Sequence, residues 1–501
     1  MKKKFIVFCL NCLVLFGCTD LAEEPKGLLA PESFFKSIND VEAGLFGAYS
    51  QLVSVSLYGR ELPVMLMLRS DMAAIGDLGT LADRKQIDEF NMDSQNSLSI
   101  NVWEAFYRTI SAANTVIEAA KSVKGDPAKK TSLEAEARFI RAFSYFNLVR
   151  IFGDVPYLDR PVETTAQLNN VPRTPLTQIY QSIEEDLLFA KQNLPARQNG
   201  DVRNRASSGT AATVLADVYL TQKQFVKAAN EARFVITNAS GLYNYRLEKN
   251  YQDLFNGALA ASLKEPIFVT DWQNNLLSEG VNEDWLISQT RPRGLSPRSL
   301  SVVVPTMAVY DSWDARDYRR AVSFEDSVIV NGKKTPITQA AQASVKRPHI
   351  AKYYRFPGPQ EAGDDRRADN DYHVYRYADV LLMAAEAIAE SEGATPEAIE
   401  YINQIRARAR FNGKITTSFP ADVVSPIDKT DFIKLVREER RLELAFEFKR
   451  WFDIKRWNTL KEVFTGPNAY ENRPVDLNRD YLIPLPLNEI KLNNWTQNPG
   501  Y

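Results

Sequence analysis

Histidine and cysteine are scarce in this chain, and what is missing narrows its chemistry. The only histidines are His349 and His373, and neither stands in a metal-ligand spacing such as HExxH. The cysteines are Cys9, Cys12 and Cys18. Everything after Cys18 therefore lacks an internal disulfide, a thiol nucleophile and a cysteine metal site. The GxSxG elbow of serine hydrolases is absent. A glycosidase pair would leave no such mark, because its two carboxylates meet only in the fold. Neither sign of charge dominates: Lys+Arg 61 against Asp+Glu 63 gives a formal net charge of −2, so a nucleic-acid partner is not expected. No cofactor or metal is expected either. The apolar run at residues 5–16 is too short to cross a bilayer as a helix.

What is present is a globular composition, 45% hydrophobic and 25% charged, in 501 residues. That length holds one large domain or two or three ordinary ones and buries a sizeable core. The first residues read as a targeting segment: Lys2–Lys4, the apolar run, then Leu15-Phe16-Gly17-Cys18, which resembles a bacterial lipobox. Residues 1–17 are thus expected to be a lipoprotein signal peptide, with Cys18 lipidated and residues 18–31 a tether.

Helical periodicity follows. Residues 39–55 place Val41, Leu45 and Ala48 on one face. Residues 101–121 do the same with Trp103, Phe106, Tyr107 and Ile110. Residues 133–152 place Phe139 and Phe143 inward and stop at Gly153, a good helix terminator. Between the first two, residues 58–98 read as a long irregular polar loop, of the kind that is more often functional than idle. Thr174-Pro175 looks like a helix start. Ala216, Tyr219, Phe225 and Ala228 show the small/large pattern of a tetratricopeptide-type hairpin, and Ala385, Ile388, Ala398 and Ile399 repeat it.

Composition changes after Gly241. Residues 242–375 are rich in Asn, Ser and Pro, with two short strand-like runs, PIFVTDW (266–272) and SVVVPT (301–306). Helical pattern returns at Arg376. Residues 438–457, EERRLELAFEFKRWFDIKRW, set opposite charges three apart at Glu438/Arg441, Glu447/Arg450 and Asp453/Arg456, alongside an apolar stripe through Leu444, Phe448, Trp451 and Phe452. That pattern predicts one amphipathic helix.

Taken with RYADVLLMAAEAIAE (376–390), AIEYINQIRARAR (398–410) and the terminal YLIPLPLNEIKLNNWTQNPGY (481–501), this stretch resembles the C-terminal half of the SusD/RagB family of outer-membrane nutrient-binding lipoproteins. The resemblance implies a mainly α fold. About four tetratricopeptide-like helix pairs would form a scaffold, carrying a loop-rich insert with a few short strands. It divides the mature chain into an N-terminal helical region (32–241), the insert as ligand region (242–375) and a C-terminal region (376–501). It also implies binding without catalysis: capture of an oligosaccharide at the outer membrane, facing the cell exterior, and delivery to a TonB-dependent, SusC-like transporter.

A sugar site needs aromatic faces and planar polar groups. The richest stretch for these is DWQNNLLSEGVNEDWLISQTRPR (271–293). Trp285 is the expected stacking residue, on an exposed loop, with Asn282, Glu283, Asp284 and Arg291 around it and Trp272 as a second platform. Arg69, Asp77 and Arg84 in residues 58–98 form the fallback site. Two other functions fit the same residues: the same fold binding peptides or protein fragments, and a plain tetratricopeptide scaffold for protein partners.

Overall fold

The computed structural model describes residues 34–272, 284–358, 368–467, 469 and 471–501. The N-terminal helices are α1 (Ile38–Leu52), α2 (Glu61–Leu68), α3 (Ala82–Asp88), α4 (Ser97–Ser122), α5 (Pro127–Phe152), α6 (Leu176–Asn193), α7 (Ser208–Thr221) and α8 (Phe225–Thr237). Local chemistry fixes their ends. Ser37 and Asp40 form a reciprocal cap on α1. The Asp126 carboxylate accepts from the Ala128 and Lys129 amides at the start of α5, with Pro127 in the first turn. That helix stops at Gly153, whose φ of +80° suits glycine. Thr174-Pro175 lies one residue before α6, which starts at Leu176.

These helices form a stack of neighbours: α1 on α4, α4 on α5, α5 on α6, α6 on α7, α7 on α8. The chain then leaves the stack. When it returns as α12 (Tyr377–Glu392), that helix packs directly on α8. Helices α13 (Pro396–Ala409) and α14 (Lys429–Glu443) continue from α12. The two hairpins are those the alanine pattern predicts. Ala216 and Ala228 of α7/α8, and Ala385 and Ala398 of α12/α13, are all fully buried, which lets the paired backbones approach closely. The last helices are α15 (Arg450–Trp457), α16 (Leu460–Thr465) and α17 (Leu487–Asn493).

The excursion between α8 and α12 carries short helices α9 (Leu286–Thr290), α10 (Met307–Ser312) and α11 (Tyr318–Ser323). The strands, all but β1 in this excursion, pair antiparallel in two-stranded ribbons: β1 (Ala73–Ile75) with β3 (Val303–Pro305), β2 (Pro266–Thr270) with β8 (Tyr372–Arg376), β4 (Phe324–Glu325) with β7 (His349–Ile350), and β5 (Ser327–Val330) with β6 (Lys333–Pro336). The strand-like runs at 266–272 and 301–306 are thus found. The β1/β3 ribbon ties the N-terminal region to the excursion, and one contiguous apolar core runs through all three regions.

Two expectations are corrected. Residues 58–98 are not an irregular loop. They hold α2, β1 and α3, and α2 is buried along its whole length. An all-round buried helix such as ELPVMLML has no polar face, so it shows no amphipathic period. Residues 438–457 are not one helix. The chain breaks between α14 and α15, where Phe446 and Phe448 each take φ +64°. The Glu438/Arg441 and Asp453/Arg456 pairs form, but Glu447 and Arg450 part to distant partners.

Candidate functional site

The break between α14 and α15 turns Glu443 and Glu447 into the interior, where they meet cations from four other segments. Arg376, at the end of β8, donates to Glu265 at 2.6 Å, Glu443 at 2.5 Å and Glu447 at 2.8 Å, with no exposed surface. Arg408 of α13 reaches Glu265 and Glu443, and Arg319 of α11 reaches Asp317, Glu439 and Glu443. Lys352 donates to Glu447 and to the Tyr251 hydroxyl. Burial alone would raise both carboxyls. Arg408, Arg376 and Arg319 instead hold Glu443 well below the usual range, and Arg376 and Lys352 do the same for Glu447. Burial pushes the Lys352 amine down to about 8 against the pull of Glu447. Each charge here is matched, so the cluster fixes how the insert, the C-terminal helices and the ribbon meet. It is framework.

A different arrangement surrounds Trp285. This residue precedes α9, and its backbone N–H donates to the Gly59 carbonyl at 3.0 Å. The Arg60 guanidinium lies over its ring, 5.3 Å from the centroid, and pairs with Glu61 at 2.8 Å. Glu61 opens α2, which packs on both α9 and α3. That contact brings Arg84 of α3 into the same charge environment, beside Arg60 and Glu61. Arg84 Nη1 donates to Thr80 Oγ1 at 3.1 Å, and burial first, then Arg60, brings its pKa down to about 10. Outside it, Leu78 and Leu81 are exposed and Asp77 pairs with Arg293. The result is an aromatic ring with a guanidinium over one face, a combination that can receive a sugar on the other.

The expected site residues therefore scatter. Trp285 is half-buried at a helix start, not on an exposed loop, because the Gly59 contact and Arg60 hold it against α2. Trp272 is interior, its ring 5.5 Å from that of Tyr372, and cannot serve as a platform. Asp284 is fully buried and hydrogen-bonded to the Tyr372 hydroxyl. Burial pushes its carboxyl up to about 8, so it sits neutral in the core and not at a ligand edge. Arg291 is half-buried just after α9, with its carbonyl accepting from the Ser301 amide. Of the fallback residues, Arg69 is fully buried and paired with Asp480 at 3.1 Å, Arg84 lies near the Arg60–Glu61 pair beside Trp285, and Asp77 pairs with Arg293. Cys18, Asn282 and Glu283 lie outside the described residues. Arg60 and Glu61 were not legible as site residues; a charged pair in front of an apolar run is their only mark. Among the described residues, no group of three or more His, Cys, Asp or Glu could hold a metal ion, and no helix is long and apolar enough to cross a membrane.

The fold has counterparts among known proteins. Residues 306–501 match the SusD family model, and residues 56–220 match a model described as starch-binding, associating with the outer membrane. In structure the chain is similar to a SusD homolog from Bacteroides thetaiotaomicron, with TM-score 0.82 at 24% identity over 94% of this chain and 98% of that one. It is also similar to surface glycan-binding protein A from the same organism, in complex with laminarihexaose, with TM-score 0.76 at 18% identity over 92% and 99% of the two chains. At such identities the likeness speaks for the fold. In sequence it is similar to SusD-like protein P2 of Formosa agariphila, 42% identical across 100% of both chains. With an end-to-end relative at that identity, this chain belongs to the SusD family.

Proposed function

We propose that the protein captures an oligosaccharide at the Trp285 rim, without turning it over, and hands it to a TonB-dependent, SusC-like outer-membrane transporter. Cys18 carries the lipid that anchors it to the outer membrane, facing the cell exterior. The observation that carries this reading is the half-buried Trp285 ring with the Glu61-paired Arg60 over one face, in a chain of a family whose similar members include glycan-binding proteins. A sugar ring can lay its C–H face on the indole while its hydroxyls meet the Arg60 guanidinium, which Glu61 holds in place from beneath.

A glycan array beside a peptide pool tests the cargo, with calorimetric titration of any ligand found. Glycan binding that weakens in Trp285→Ala supports the reading; binding of peptides alone sinks it. Incubation should return the oligosaccharide uncut. A pull-down from outer membranes should recover the transporter, and Cys18→Ala should no longer partition with detergent-phase lipoproteins.

A further inference from the structure

Among the described residues, the buried arginines and lysines all reach a carboxylate except one. Arg69 has Asp480, Arg141 has Asp186, Arg473 has Asp88, and the framework cations have the glutamates named above. Arg84 is the exception: it is 8% exposed and forms no ion pair. Its one hydrogen bond goes to a neutral hydroxyl, that of Thr80, and its Nε has no partner. Nearby charge does not compensate it, since Glu61 is engaged by Arg60 and those two cancel. Asp77, seven residues before Arg84 in the chain, is engaged by Arg293. A guanidinium stays charged at neutral pH even when buried, so among the described residues the rim holds one positive charge that no carboxylate matches. Its planar fork fits a carboxylate or a sulfate, which can take two parallel N–H donors.

Building on the glycan reading above, we propose that the rim selects an acidic oligosaccharide, with Trp285 under a sugar ring and Arg84 paired to a carboxylate or sulfate that the sugar carries. A neutral glycan would leave that charge unpaired on binding. An acidic one supplies the missing partner.

The test is calorimetric titration of the full mature chain with trigalacturonate, a sulfated galactan tetrasaccharide and neutral laminarihexaose, for wild type, Arg84→Gln and Arg84→Lys. An acidic ligand is expected to bind at least about tenfold more tightly than the neutral one, and Arg84→Gln should lose about tenfold of that affinity, as expected for a charged hydrogen-bonded pair. Arg84→Lys should keep part of it. Whichever acid binds tells carboxylate from sulfate. Thermal melts supply the second readout: removing an unmatched buried charge should leave Arg84→Gln melting no lower than wild type. Equal binding of neutral and acidic ligands, or acidic binding indifferent to Arg84→Gln, overturns the proposal while the glycan reading stands. A variant that melts early and loses every ligand alike makes Arg84 structural and overturns it too. If no glycan binds at all, both fall.

Discussion

The framework cluster around Arg376 and the rim around Trp285 are built from the same residue types, yet they do opposite things. Around Arg376 each arginine meets glutamates contributed by other segments, and no charge is left over. Around Trp285, among the described residues, Arg84 is left without a carboxylate. Composition does not separate the two, since both read as Arg, Glu and aromatic. The separation lies in whether the protein satisfies its own polar groups. A fully matched network holds parts together; an incomplete one has something left to offer a ligand.

The comparison can be broken most sharply at its centre. Arg376→Met leaves Glu265, Glu443 and Glu447 buried without their shared cation, and should cost at least about 5 kcal/mol or abolish folding. A loss below about 1 kcal/mol in denaturant unfolding would show that the cluster is not framework. Next is Trp451→Ala. Trp451 is fully buried beneath Arg69 and Phe90, and its truncation should cost about 3–5 kcal/mol. His349 comes third. It is fully buried with Nε2 at 2.7 Å from Ser301 Oγ, and burial pulls its pKa from 6.5 down to about 4. A depressed base contributes stability that is present above the unfolded value and fades as pH falls from about 6.5 to about 4. Melts of wild type should therefore fall across that window, and His349→Gln should flatten the fall by up to about 3 kcal/mol. The smallest effect belongs to the rim: Trp285→Ala should weaken glycan binding by about 1–3 kcal/mol, with a smaller loss of stability than Trp451→Ala. If the two tryptophans prove equally costly to the fold, the rim is framework as well.

The same contrast explains what could be read in advance. Amphipathic helices and alanine-paired hairpins are local patterns, and α4, α5, α7/α8 and α12/α13 appear where those patterns lie. Glu447 and Arg450 stand three apart and look like partners, but their true partners, Arg376 and Asp71, lie far along the chain. Two phenylalanines with positive φ end the helix in a way no propensity announces. Trp272 and Asp284 carried ligand chemistry by type alone; their burial depends on Tyr372, which reaches them through the β2/β8 pairing. In the sequence Arg84 is one charge among several. Its isolation is a property of the assembled interior, because it requires knowing which carboxylates fail to arrive.

The seam between α8 and α12 has a consequence for variation. These helices pack as though no residues separated them, so both ends of the excursion are held by the stack. Lengthening a loop whose ends are already held costs little: each doubling adds about 0.6 kcal/mol of closure entropy. Exposed turns of the excursion, outside the Arg376 cluster and the shared core, can then lengthen or shorten without disturbing the helices. The protein in this sense is a socket whose outer turns can change length at small risk to folding.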